Sequence, residues 1–314
     1  MYILLNLLVV SAARLHHELK PYDPSPNPNS VVVSSDSHLR VTVLTTKLFR
    51  VQYRSSLTSD WDDRPTLAVV NRNLETPRFK IEHKPEGLRI VTEDVEVYYK
   101  EGGGGGTRGK LEGSSFQAFN KRSLQNYKYG DSPTGNLLGT IRTLDTLGPT
   151  NLNCSTILDP NAHCENGLIS TDGWAVLNDT DSPRLAGPND WWATTNSLPN
   201  SVDIYLFMHG WDFKQALADY SKIGGTVPLP PRYMLGVLWT RWFDYDSNDL
   251  KDLVSGFSVR GLPLDTLIID MNWHIKPWWG SYSFDKRIIP DPKSLVRWIK
   301  NRGIRIMFRS DRRR

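Results

Sequence analysis

The run Pro263 to His274, PLDTLIIDMNWH, limits the fold of this chain more than any other stretch. Leu267, Ile268 and Ile269 are consecutive and branched, without the alternation of a strand that keeps one face in water. Such a run reads as a strand buried on both faces, the kind found in parallel α/β sheets. Asp270 stands at its exit. The carboxyl ends of parallel strands are where sheets and barrels gather binding and catalytic groups, so Asp270 is a candidate site residue. A carboxylate in that place can equally cap the next loop or pair with an arginine.

The flanking sequence supplies strand, helix and strand in order. Ser247 to Arg260 carries Leu250, Leu253, Val254 and Phe257 on one helical face, with Ser247 as the expected N-cap, Asp249 in the first turn and Gly261 as a left-handed stop. Leu235 to Thr240, LGVLWT, reads as the preceding strand and runs into Arg241, Trp242 and Phe243. Downstream, Asp291 and Pro292 form a cap and first-position pair for a helix through Lys300, Gly303 ends it, and Ile304 to Phe308 reads as a third strand. Two βα units and a further strand follow.

The ordered runs GGTVPLPPRYMLGVLWTRWFDYD, PLDTLIIDMNWH and GSYSFDKRIIPDP resemble the opening of the catalytic barrel of glycoside hydrolase family 31, the α-glucosidases and α-xylosidases. NLLGTIRTLD, ENGLISTDGWAVLND and DWW resemble that family's N-terminal β domain, so the likeness runs from about Asn136 to Phe308. The resemblance implies a galactose-mutarotase-like β-sandwich at residues 21–226 and the first part of a (β/α)8 TIM barrel at 227–314. It makes Asp270 the carboxylate that grips hydroxyls of the bound sugar and Trp242 an aromatic wall; if their two strands pair directly, these residues lie side by side and line one cavity, with Trp273 and His274 expected at its rim. Asp145, in RTLD, becomes a candidate reaching the sugar from the β domain, although a carboxylate there can also pair with Arg142.

Hydrolysis of a glycosidic bond takes two carboxyl groups, one protonating the leaving oxygen and the other attacking the sugar or activating water. By the resemblance both are aspartates on later barrel strands, so the nucleophile and general acid are expected beyond residue 314 and no catalytic residue is assigned here. The pattern departs from the family after Ile306-Met307-Phe308, where a His- and Pro-containing turn is replaced by Arg309-Ser310-Asp311-Arg312-Arg313-Arg314. A (β/α)8 barrel needs about 250 residues and roughly 80 follow Tyr233, enough for three strands. The expectation is a polypeptide that does not hydrolyse glycosides unaided and leaves strand edges uncovered. Asp285, in a loop, resembles a structural residue of the family.

Ahead of the barrel-like part the period of apolar residues is two. Val31 to Val33, Leu39 to Leu44, Phe49 to Tyr53, Phe79 to Glu82, Leu88 to Thr92 and Val95 to Tyr99 read as short antiparallel strands. Phe116 to Trp192 reads as loop-rich, with Tyr127, Tyr129, Trp174, Trp191 and Trp192 available to a neighbouring site. Val202 to His209 is a further strand and Asp212 to Lys222 a helix, and the proline cluster of GGTVPLPP marks a boundary near Val227. PYDPSPNPN, at Pro21 to Asn29, is an extended lead-in.

Five glycines at Gly102 to Gly106 lack the Lys and Ser/Thr of a phosphate loop and the strand-to-helix setting of a dinucleotide site, and read as a hairpin tip. A βαβαβ nucleotide-binding domain is disfavoured likewise, since Leu238 to Asp244 has no glycine to let backbone approach phosphate. The remaining alternative is a carbohydrate-binding protein or pseudoenzyme without turnover. Net charge is +4, of which Arg312 to Arg314 supply three, so a nucleic-acid partner has little support. The expected partner is an oligosaccharide or glycoside substrate; no cofactor, metal or membrane span is expected.

MYILLNLLVVSAA is too short an apolar run to cross a bilayer and ends in small residues, as a signal peptide within residues 1–20 would. Cys154 and Cys164 are close enough for a local disulfide, and Asn153 and Asn178 head glycosylation sequons. Together they point to a secreted or secretory-pathway protein, the alternative being cytoplasmic.

Overall fold

The computed structural model describes residues 22–57, 60–101, 110–138, 165–187, 190–194, 201–275 and 281–309. Their contacts divide the chain into two units, Met1–Val227 and Pro228–Arg314.

In the first unit, β1 (Val31–Val33), β2 (Leu39–Val43) and β3 (Leu48–Tyr53) form successive antiparallel pairs. β4 (Phe79–Lys84), β5 (Gly87–Thr92), β6 (Val95–Tyr99), β7 (Phe116–Asn120) and β8 (Asn126–Lys128) make a second sheet in sequence order. β9 (Ala175–Asn178) and β12 (Val202–Phe207) complete the first sheet, in the order β1-β2-β3-β12-β9, and β10 (Arg184–Gly187) pairs with β11 (Asp190–Thr194) as a separate hairpin. Helix α1 (Phe213–Gly224) follows, capped by Asp212, whose side chain accepts from Gln215 N. The two large sheets share one apolar cluster: Val41, Val51 and Ile204 from the first meet Leu88, Val97 and Phe116 from the second. Gly87 shows how tightly the second sheet is drawn in. A Cβ there would sit 2.0 Å from the Tyr99 carbonyl oxygen, which only glycine avoids.

The stretch read as loop-rich therefore holds β7 to β11 among its described residues. Tyr127 and Trp174 are buried, with ring centroids 4.8 Å apart, and serve the core rather than a neighbouring site. These strands are three to five residues long, and their aromatic residues are interrupted by Lys, Arg and Asn, so no long period-two run announces them.

The first sheet departs from simple alternation. The sequences LRVTV, LFRVQY and VDIYLF alternate as a half-solvated sheet should, yet nearly every residue of β2, β3 and β12 is buried. The polar face is covered, and its charges neutralise one another. Arg50, fully buried, donates from Nε to Asp203 Oδ1 at 2.9 Å, from Nη2 to Asp203 Oδ2 at 2.7 Å and from Nη1 to Asp63. Arg40 donates to Gln52 and to Asp63, and Arg184 lies 3.3 Å from Asp203. Buried charge persists where each group is both paired and hydrogen-bonded.

The second unit is a parallel sheet in the order β13-β14-β15: β13 (Leu238–Arg241), β14 (Thr266–Ile269) and β15 (Arg305–Phe308). Helix α2 (Ser247–Val259) joins the first pair and α3 (Pro292–Lys300) precedes β15. The cap of α2 is Asp246 rather than Ser247: Asp246 accepts from Asn248 N and Asp249 N while Asp249 returns a bond to the Asp246 backbone, a reciprocal box that a serine one residue later could not close. Gly261 and Gly303 adopt positive φ, +64° and +77°, in the turns after the two helices. Leu250, Val254, Leu295 and Ile299 from the helices pack with Leu267 and Ile269, and Trp239, Ile306 and Phe308 lie against the same cluster. No helix among the described residues is long and apolar enough to cross a membrane.

Candidate functional site

Register decides what meets at the carboxyl edge of the parallel sheet. Arg241 is the partner of Ile269, and Ile269 of Phe308, so the residues immediately beyond are Trp242, Asp270 and Arg309, side by side on three neighbouring strands. The strands leave the sheet through short tied segments. Asp270 caps a 3-10 turn, Met271–Trp273, by accepting from Met271 N at 2.7 Å. The Asn272 amide donates to Asp244, linking the exits of β14 and β13, and Arg309 N donates to Ile269 O at 2.9 Å.

Asp270 is buried, and one of its oxygens is engaged: Oδ1 takes the Met271 N–H and faces Arg309 Nη1 at 3.7 Å. Both structural roles open to such a carboxylate, the cap and the arginine pairing, are thus filled through the same oxygen. Oδ2 accepts no hydrogen bond from the described residues. A carboxylate with one oxygen fixed and the other available can accept from a hydroxyl, the chemistry that holds a polyol in place. Trp242 beside it is 71% exposed, an indole face open to a ligand.

Trp273 and His274 are not at a rim. They are 4% and 3% exposed, and their rings lie 3.8 Å apart by centroid. Trp273 packs on Phe284 and Phe308 and donates from Nε1 to Arg309 O at 2.8 Å, and His274 pairs through its backbone with Phe284. The 3-10 turn folds them back beneath the strand ends, where an aromatic cluster gains more by burial than by exposure. Neither ring nitrogen of His274 has a hydrogen-bond partner.

Asp285 is buried and structural, as expected: Oδ1 accepts from Arg287 N, and the Arg287 guanidinium pairs with the carboxylate at 2.6 Å. Arg309 is the neighbour that sequence reasoning passed over. The signal was present, since a third parallel strand in register must deliver the residue after Phe308 next to the residue after Ile269. Asp145, Arg142, Cys154, Cys164, Asn153, the glycine run and residues 1–20 lie outside the described residues. Asn178 is exposed at the end of β9, where its Oδ1 accepts from Thr180 N. No group of side chains suited to a metal ion occurs among the described residues.

A parallel sheet with helices in its crossovers carries here a carboxylate, an indole and a guanidinium at its carboxyl edge, the edge at which α/β architectures commonly place binding groups. Residues 227–312 match the family model for the glycosyl hydrolases family 31 TIM-barrel domain. An alpha-xylosidase of Lactiplantibacillus pentosus is 30% identical over 143 residues, covering 44% of this chain and 19% of that protein. Alpha-glucosidase 2 of Bacillus thermoamyloliquefaciens is 28% identical over 107 residues, covering 34% and 13% respectively. Among solved structures, a GH31 alpha-xylosidase from a soil metagenome complexed with xylose aligns over 88% of this chain and 45% of its own, with a TM-score of 0.57 at 16% identity. The GH31 alpha-xylosidase of Xanthomonas citri gives 0.53 at 13% identity over 90% and 49%. The part of the chain at residues 227–312 thus matches the glycoside hydrolase family 31 barrel domain, and the curated relatives and solved structures it resembles are glycosidases of that kind. Its matches span less than a fifth of these two curated relatives' length and under half of these two solved chains.

Proposed function

We propose that this chain supplies the sugar-gripping part of a glycosidase acting on α-linked glucosides or xylosides, with a β-sandwich at residues 21–226 and the opening of a (β/α)8 barrel at 227–314. The observation that carries the reading is the strand register, which sets Trp242 and Asp270 next to each other beyond paired strands. In this reading the free oxygen of Asp270 accepts from hydroxyls of the ring in the cleavage subsite, Trp242 walls that subsite, and Trp273 holds the exit of β15 in place through the Arg309 carbonyl. His274 supports the aromatic cluster from below. Asp145 remains a candidate contact from the β domain.

Turnover requires a paired acid and nucleophile on either side of the anomeric carbon. Among the described residues just beyond β13 to β15 the carboxylates are Asp244, tied to Asn272, and Asp270, tied to Met271 and Arg309. Neither has the free, opposed placement that in-line chemistry needs, and holding a ring leaves most of the barrier standing. The 314-residue polypeptide by itself is therefore expected to bind sugar without releasing nitrophenol from an α-glucoside or α-xyloside. Calorimetry with maltose and xylose beside a chromogenic assay tests both halves. Nitrophenol release that disappears in Asp270→Asn would overturn the proposed division of labour, and sugar binding indifferent to that substitution would remove Asp270 from the site. A secretory route belongs to the same reading, supported by the exposed sequon asparagine Asn178. Thiol titration of unfolded, secreted protein checks it through Cys154 and Cys164, two free thiols counting against.

A further inference from the structure

Two main-chain bonds fix the position of Arg309 at the carboxyl edge of the parallel sheet. Its N–H donates to Ile269 O at 2.9 Å, and its carbonyl accepts from Nε1 of the buried Trp273 at 2.8 Å. Alternation then sets the direction of the side chain. Ile269 and Phe308 turn into the apolar cluster beneath the helices, so Asp270 and Arg309, one residue further on neighbouring strands, turn the other way, and their charged groups meet.

The meeting is looser than a structural ion pair. In the first unit Arg50 and Asp203, both buried, join through two parallel bonds of 2.9 and 2.7 Å, the fork-to-fork geometry that ties strands together. Arg309 Nη1 stops 3.7 Å from Asp270 Oδ1, beyond hydrogen-bonding distance, and its side chain is 42% exposed. A part-exposed pair at that separation contributes little to stability. It does set a planar acceptor and a planar donor side by side, with a carboxylate oxygen, Oδ2, that accepts no hydrogen bond from the described residues. Adjacent hydroxyls of a sugar ring lie roughly one hydrogen-bond length apart, so each of the two groups can take one of them. The two charges offset each other, and an anionic substituent on the ring would meet Asp270 as a like charge.

We infer that Arg309 completes the grip of Asp270 as a diol clamp: the carboxylate accepts from one ring hydroxyl, the guanidinium donates to its neighbour, and the pair selects neutral sugars over uronic acids. The inference deepens the reading of Asp270 as a sugar ligand and rests on it. It is tested by calorimetry on the full 314-residue chain, comparing wild type, Asp270→Asn, Arg309→Ala and the double variant with xylose, glucose and glucuronic acid. Either single substitution is expected to weaken xylose and glucose binding about tenfold, and the double variant by less than the product of the two, because both groups hold one ring. Glucuronic acid is expected to bind more weakly than glucose in the wild type. The urea midpoint should be the same for wild type and Arg309→Ala, a separation of affinity from stability that a merely structural arginine would not show. Should Arg309→Ala lose its native circular dichroism, Arg309→Gln, with a shorter and uncharged donor, is expected to weaken binding in the same direction at an unchanged midpoint. Binding weakened by Asp270→Asn but untouched or tightened by the Arg309 variants removes Arg309 from the grip and leaves Asp270 in place. Losses that simply multiply in the double variant overturn the shared clamp, and glucuronic acid held more tightly than glucose overturns the selection of neutral sugars. Binding indifferent to both substitutions overturns the reading of Asp270 and the clamp together.

Discussion

The two units handle their carboxylates in opposite ways. Asp203 and Asp63 in the first unit are spent on arginines: Asp203 receives two bonds from Arg50 and a contact from Arg184, and Asp63 is shared by Arg40 and Arg50. Asp270 in the second unit is buried as Asp203 is, but committed through one oxygen only. Saturation is what separates a carboxylate that holds a sheet together from one that can hold a ligand. Burial alone does not make the distinction, and neither does residue type.

Breaking the saturated network is expected to produce the largest effect. Asp203→Ala leaves Arg50, fully buried, without its main counter-charge, and loss of one member of a buried pair costs about 3 to 5 kcal/mol. Urea denaturation measures this; a loss below about 1 kcal/mol would mean that Asp63 and the Asp62 carbonyl suffice for Arg50.

Next comes Asp219→Asn, with an expected loss of about 1 to 3 kcal/mol at neutral pH, because an amide presents a donor to groups that themselves donate. Burial pushes the Asp219 carboxyl upward, but hydrogen bonds from His209, Lys222, Thr45 and Gln215 outweigh it and hold the group well below the usual carboxylate range. A depressed pKa contributes stability that is present above the unfolded-state value, about 3.9, and is lost as pH falls toward the folded value. The difference between wild type and Asp219→Asn should therefore be full at pH 7 and shrink below about pH 4. Asp179 has the opposite sign, since burial raises it. Its contribution favours folding at low pH and fades as pH rises through its folded value. A stability difference for Asp219→Asn that grows on acidification would contradict the assignment.

How much of this was legible in the sequence follows from where the information lies. The strand-exit geometry was readable because Leu267-Ile268-Ile269 and the capped helices give strand-helix-strand units, and direct pairing of the two strands, which the structure has, places Trp242 beside Asp270. The cap at Asp246 was missed by one residue, since three candidate residues, Asp246, Ser247 and Asn248, stand in a row and only the return bond from Asp249 chooses between them. Burial of Trp273 and His274 was not readable, because an aromatic after a strand exit is as consistent with a ligand wall as with a core, and the 3-10 turn that decides it is three residues long. The covered polar face of the first sheet was hidden for a different reason. Alternation reports which side chains are polar, while the partners of Arg50 sit 13 and 153 positions away.

Asp270→Asn sharpens the comparison from the other side. The amide keeps an oxygen for the Met271 N–H, so the cap survives and stability should change by less than about 1 kcal/mol. Sugar binding at the strand exits should fall about tenfold or more, the worth of hydrogen bonds to a charged acceptor. A variant that loses several kcal/mol of stability while binding sugar normally would place Asp270 with Asp203 among the structural carboxylates.

The smallest expected effect is at His274, and its sign is informative. The ring is 3% exposed, lies tilted against Trp273 with centroids 3.8 Å apart, and leaves both nitrogens without a hydrogen bond among the described residues. A buried polar group in that state costs free energy without return, whereas an apolar side chain of similar shape removes the cost and keeps the ring contact. His274→Phe should accordingly leave stability unchanged or raise it by up to about 1 kcal/mol, read as a higher urea midpoint at unchanged slope. Sugar binding should not move, since a ring turned into the aromatic cluster contacts no ligand. Weaker maltose or xylose binding in a His274→Phe chain of undiminished stability would return His274 to the wall of the site, and with it the unpaired nitrogens would become ligand contacts rather than a tolerated cost.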